Sequence, residues 1–241
     1  MSKWFKVAGA TILVLLVLAA AGFYAWTRLA TYPAFPEAAA LAQQAQTERG
    51  WYVFEPEGEP SSGFIFYPGG LVDPAAYAPL MQKLSHGGVL AVIAPMPLNL
   101  AVFGIARAND VIAAYPSIDT WIIGGHSLGG AMAAEYLKNN PDAIEGVAFL
   151  ASYPSNSTDL TAITAAVVSI YGTEDGVDGA VFEESLGRLP AGASLKVIDG
   201  GNHAQFGNYG PQKGDGIATI SRDEQQRLTA DAILELVKGL E

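Results

Sequence analysis

Residues 120–130 read TWIIGGHSLGG: an apolar run, a serine with glycines two places to either side, and the start of a new helical pattern. Gly125, Ser127 and Gly129 fit G-x-S-x-G, with a strand expected over 120–124 and a helix over 128–139 that Pro141 closes. A strand that turns abruptly into a helix leaves the serine on a tight, strained corner with its hydroxyl clear of the sheet. Side chains two residues before or after would strike neighbouring backbone, so glycine is required there. Such a corner is what a nucleophilic serine needs.

Outward from this corner, short apolar runs alternate with helical segments. Strands are expected at 51–54, 63–67 (GFIFY), 89–94 (VLAVIA), 146–151, 166–171 and 194–198. Between the second and third, Asp73 and Pro74 supply an N-cap and a first helical residue, and Tyr77, Leu80, Met81 and Leu84 form one apolar face. Helices are also expected over 105–115 and from Ser221, in capping-box spacing with Glu224, to Lys238. Strands apolar on both faces and separated by helices predict an α/β fold with a mostly parallel central sheet flanked by helices. Ligands in such sheets bind beyond the carboxyl ends of the strands, where Ser127 falls.

A serine hydroxyl attacks only when an imidazole takes its proton, and a carboxylate must fix that imidazole's tautomer. The chain has three histidines. His86 ends a helix that runs away from the active edge, and His126 is read as a structural imidazole turned from the serine. That leaves His203, in the loop after the last strand. For the carboxylate, the turn after strand 166–171 offers Asp175 as first choice, Glu174 as the near alternative and Asp178 as a weaker one that an N-cap role explains equally well. The order Ser127, Asp175, His203 is that of one serine-hydrolase architecture and not of two other common ones. An oxyanion needs donors; the amide of Leu128 opens the helix, and the loop Pro68-Gly69-Gly70-Leu71 offers the amide of Gly70 or Leu71.

The 241 residues suit one domain of ordinary size with a short appendage, and 50% hydrophobic content excludes disorder. A formal net charge of -11 is the wrong sign for gripping nucleic acid. With no cysteine, no clustered metal-ligand spacing, no P-loop and no dinucleotide fingerprint, no cofactor or metal is called for. Residues 1–28 hold Lys3, Lys6 and Arg28 without an acid, whereas 29–241 carry a net charge of -14. Between Lys6 and Arg28 lie about twenty uncharged residues, long enough to cross a bilayer, with Tyr24 and Trp26 at an interfacial position. A signal anchor over 1–28 with the remainder outside the membrane is expected, a signal peptide cleaved near Ala21 being the alternative. Residues 29–49 read as a linker with a short helix over 37–48, and 50–241 as the folded domain.

With YPGG at 67–70, GGHSLGG at 124–130, GTED at 172–175 and GGNHAQFGNYGPQKGDGIATISRDEQ at 200–225, the chain resembles the α/β-hydrolase superfamily, and within it the bacterial branch known as α/β hydrolase fold 5. The resemblance covers roughly 51–236 and carries over Ser127, Asp175 and His203 as the family triad. It implies a carboxyl-ester hydrolase acting on a small molecule; a catalytically silent binding or envelope protein on the same scaffold is the competing class. Only residues 152–165 stand where larger relatives insert a helical cap, so a minimal cap or none is expected, with an acyl group of small or moderate size. Leu98, Leu100, Val102 and Phe103 are expected as an apolar lip on the active edge, facing the acyl group or a membrane, or as plain packing.

Overall fold

The computed structural model describes residues 3–45, 47, 49–176 and 179–240. The chain divides into two units, Met1–Thr31 and Tyr32–Glu241. The first consists of helix α1 (Lys3–Ala30), in which Val7–Ala30 is long and apolar enough to cross a membrane.

In the second unit the alternation of apolar side chains along each strand builds a core on both sides of one sheet. The strands are β1 (Tyr52–Phe54), β2 (Ser62–Tyr67), β3 (Leu90–Ile93), β4 (Thr120–His126), β5 (Gly146–Leu150), β6 (Ala166–Gly172) and β7 (Ser194–Ile198). Among the described residues their order is β1-β3-β2-β4-β5-β6-β7, all parallel except β1, which runs antiparallel to β3. Along β2, Phe64 and Phe66 face the layer of α2 (Pro36–Gln44), α3 (Ala78–His86) and α7 (Arg222–Lys238). Ile65 and Tyr67 face the opposite layer of α4 (Arg107–Ala114) and α5 (Leu128–Asn139), and all four are fully buried. Each such side chain contributes about 1.5–3 kcal/mol. Helix α6 (Gly179–Leu186) follows the loop after β6.

Several elements differ from expectation for local reasons. The 73–84 segment starts as a 3-10 turn, Pro74–Tyr77, with Asp73 Oδ1 accepting from the amide of Ala75 at 3.0 Å, and only then becomes α3. Pro79, in the first turn of α3, has no N–H to extend that helix backward. Strand β4 continues two residues beyond 124, because Gly125 and His126 pair with Phe149 and Leu150. The expected helix over 105–115 is trimmed to α4, and the one over 37–48 to α2, the last of those residues lying outside the described ones. Helix α2 buries Ala38 and Ala42 within the second unit. Four of the five β7 residues are exposed, since this strand forms an edge of the sheet. Residues 152–165 contain turns and no helix. They are fastened at several points: Thr158 Oγ1 donates to Glu135 at 2.7 Å, Lys138 to the Ser157 carbonyl at 2.7 Å and Arg188 to the Pro154 carbonyl at 3.2 Å, while Leu160 is fully buried.

Candidate active site

Ser127 sits between β4 and α5 at φ 52°, ψ -121°, a left-handed conformation that costs a non-glycine residue about 1–3 kcal/mol. The surroundings hold it there. Its amide donates to the Leu150 carbonyl at 3.0 Å, and its carbonyl accepts from Ser152 Oγ at 2.6 Å. A Cβ on Gly125 would lie 2.6 Å from the Gly130 nitrogen, and one on Gly129 would run into the Tyr67 carbonyl. Leu71 (φ 54°) and Ala151 (φ 45°), beyond the neighbouring strands β2 and β5, are left-handed too, so strain is concentrated along this edge.

His203 lies beside this corner. It and Ser127 line one cavity of about 320 Å³, together with Leu128, Ala131, Ala151, Ser152 and Tyr153. Its Nδ1 stands 3.1 Å from both Asp175 carboxylate oxygens, and both side chains are largely buried. Its Nε2 is buried with no hydrogen-bond partner among the described residues. Glu174 goes elsewhere: its amide donates to the Gly201 carbonyl at 2.8 Å, its carbonyl accepts from Gly216 at 3.0 Å, and its carboxylate meets the hydroxyl of its own neighbour Thr173 at 3.4 Å. Asp178 lies outside the described residues.

The segment Pro68–Leu71 after β2 has three amides. Gly69 donates to Tyr77 Oη at 3.1 Å and Leu71 to the Asn99 carbonyl at 2.7 Å. The Leu71 amide, expected as a possible oxyanion donor, is thus taken by the Asn99 carbonyl. The Gly70 amide has no internal acceptor among the described residues, and an added Cβ there would touch Leu128 Cδ2 at 3.0 Å, so Gly70 lies against the residue that opens α5. The Leu128 amide belongs to the first turn, where helix N–H groups lack internal partners and the helix dipole is positive.

His126 is fully buried and packs its ring on His203, with centroids 4.5 Å apart. Tyr77 Oη lies 2.9 Å from His126 Nδ1 while it accepts the Gly69 amide, so one hydroxyl bridges the imidazole and the loop. Burial, and then the charge of His203, hold the His126 pKa well below its ordinary value. The expected structural role of His126 thus includes direct contact with the other imidazole.

Three further residues hold the His203 loop and were invisible to spacing arguments. Asp215 accepts the amides of His203 at 2.9 Å and Ala204 at 2.8 Å. Gln225, fully buried on α7, both accepts the Asn202 amide at 3.0 Å and donates to its carbonyl at 2.7 Å. Arg222 donates to the carbonyls of Ala204, at 3.0 Å, and Gly207. The one signal available was the setting of Asp215 between Gly214 and Gly216, which suits a carboxylate folded back on backbone amides. Of the expected lip, Val102 and Phe103 are exposed, and residues 98–103 do not line the Ser127 cavity. Among the described residues no three His, Asp or Glu side chains converge as a metal site.

The chain matches the model of the Alpha/beta hydrolase family over residues 63–227. No protein of curated function matches it in sequence. Similar solved structures include the esterase domain of a Rhodothermus marinus protein, at 10% identity and TM-score 0.59, covering 80% of this chain and 95% of that one. A predicted CIB-like hydrolase from Thermoplasma acidophilum aligns at 18% identity and TM-score 0.56, covering 79% and 96% respectively. Est1E from Butyrivibrio proteoclasticus does so at 13% and 0.57, covering 78% and 94%. These likenesses show the shared fold. With a strand-to-helix serine corner at the carboxyl edge of such a sheet and a family match across most of its length, the chain belongs to the Alpha/beta hydrolase family.

Proposed function

We propose that the protein is a serine hydrolase that cleaves a carboxylic ester of small to moderate size through an acyl-enzyme. The observation that carries this reading is one arrangement: Ser127 on its strained corner shares a cavity with His203, whose Nδ1 is held by Asp175. Ser127 Oγ attacks the ester carbonyl as His203 Nε2 takes its proton, and Asp175 keeps the remaining proton on Nδ1. The oxyanion accepts hydrogen bonds from the amides of Leu128 and Gly70. Collapse breaks the carbonyl carbon's bond to the alcohol oxygen, which leaves with the proton from Nε2. Water then repeats the sequence on the acyl-serine, releasing the carboxylic acid and returning the proton to Ser127.

Esterases among the structures of the same fold favour an ester over other acyl compounds. Helix α1 fits a signal anchor that holds the hydrolase unit outside the cell membrane, a cleaved secretory signal being the alternative. The chemistry is tested with a fluorophosphonate probe and p-nitrophenyl esters. Stoichiometric labelling is expected, lost in Ser127→Ala together with at least about a thousandfold of turnover. A folded wild-type protein that neither labels nor hydrolyses any ester would identify a silent scaffold instead.

A further inference from the structure

Beside the cavity that holds Ser127 lies a second one, of about 170 Å³. The two share Ala151, Ser152 and Tyr153 as lining, so they adjoin along that segment. At its far end Tyr171, near the end of β6, and Phe182, on α6, pack with ring centroids 4.3 Å apart.

Three polar side chains of this second cavity are already committed. Ser152 Oγ donates to the Ser127 carbonyl, Thr173 Oγ1 accepts the Gly200 amide at 2.9 Å, and the Asp175 carboxylate faces His203. An incoming group meets aromatic rings and one carboxylate, which repels a second negative charge. The space suits a neutral, apolar group. An apolar cavity of roughly 150 Å³ is known to admit benzene, so this one takes a single ring or a chain of about four to six carbons.

Direction follows from proton transfer. The leaving alcohol oxygen must reach His203 Nε2, so the alcohol half lies by His203, which lines the Ser127 cavity and not the second one. The acyl half is left with the side along Ala151–Tyr153. We propose that the second cavity is the acyl pocket, that it takes a neutral acyl group of this size, and that Phe182 sets the length limit. The assignment rests on Ser127 being the nucleophile.

The test uses the full chain with two ester families: p-nitrophenyl esters from acetate to decanoate, and acetates of alcohols of increasing size. Wild-type kcat/KM should peak between butyrate and hexanoate and fall at least tenfold by decanoate. Phe182→Ala should move the peak by two or more carbons, and Phe182→Trp should lower the butyrate-to-acetate ratio at least tenfold. Fluorophosphonate labelling reports the nucleophile separately in each protein. An acyl profile identical in three labelled proteins overturns the pocket alone, as does a change confined to the alcohol family. Neither labelling nor hydrolysis in the wild type overturns the pocket together with the reading it rests on.

Discussion

The ring of His126 lies on that of His203, centroids 4.5 Å apart, and is bonded through Nδ1 to Tyr77 on its other side. A second positive charge beneath the proposed base would oppose protonation of that base, so the lower imidazole must stay neutral while the upper one cycles. Burial secures this by depressing the His126 pKa. Unfolded, the same group titrates near 6.5, so the unfolded chain binds the extra proton below that pH and the folded one does not. The stabilising effect is complete above about pH 6.5 and is lost as pH falls toward the folded value. Acidification from pH 7 to 5 is therefore expected to lower Tm more in the wild type than in His126→Gln. The His126 ring-carbon resonance should stay still across that range; titration of this resonance near pH 6.5 would contradict the assignment.

Tyr77 joins this imidazole to the loop that carries Gly70. Tyr77→Phe keeps the ring packed on Phe66 but leaves the Gly69 amide buried without an acceptor, at about 1–3 kcal/mol. A loosened loop misplaces the neighbouring donor, so kcat should fall about tenfold or more with KM changed less than threefold. Steady-state kinetics beside a Tm measurement separate this from mere loss of folded protein. A KM effect at full kcat would mean that the loop does not serve the oxyanion.

Of the two acids after β6, Asp175 touches His203 and Glu174 does not. Asp175→Asn should reduce kcat by about a thousandfold or more by favouring the wrong tautomer, whereas Glu174→Gln should stay within about threefold of wild type. The reverse ranking would assign the role to the other acid.

Asp215 acts on backbone rather than on the ring. Asp215→Ala strips two charge-assisted bonds from the amides of His203 and Ala204. Turnover is expected to fall about ten- to a hundredfold and Tm to drop by several degrees, with Asp215→Asn intermediate because its one carbonyl can still serve one amide. Equal kinetics in wild type and Asp215→Ala would show that His203 is held without it.

Deleting residues 1–28 should release the protein from the membrane with ester hydrolysis intact, since the proposed triad lies wholly in the second unit. Full-length protein of unprocessed mass should resist a carbonate wash. Soluble protein shorter by about 2–3 kDa would mean that a peptidase removes the helix, in the manner of a secretory signal.

The layered sheet was legible because its strands are apolar on both faces, and the order Ser127, Asp175, His203 could be read from three loops that each follow a strand. Other features depend on contacts between distant segments. Tyr77 looked like one more residue on an apolar helix face; its hydroxyl acquires meaning only when Gly69 and His126 arrive beside it. Gln225 sits in a polar run typical of an exposed helix start, yet it is fully buried against Asn202. The sequence of β7 resembles that of an interior strand, and nothing local reveals that it has a neighbour on one side only. Leu71 and Gly70 were equivalent on paper until the Asn99 carbonyl took one of the two amides.

The stretch between β5 and β6, where larger hydrolases hinge a cover, is tied down here through Thr158, Lys138, Leu160 and Arg188. Among the described residues, this stretch is fastened to the body of the second unit rather than hinged. Lipases with mobile covers speed up abruptly when their substrate aggregates, because an oil-water surface holds the cover open. With no such step, ester hydrolysis is expected to saturate smoothly with monomer concentration and to gain nothing when micelles form.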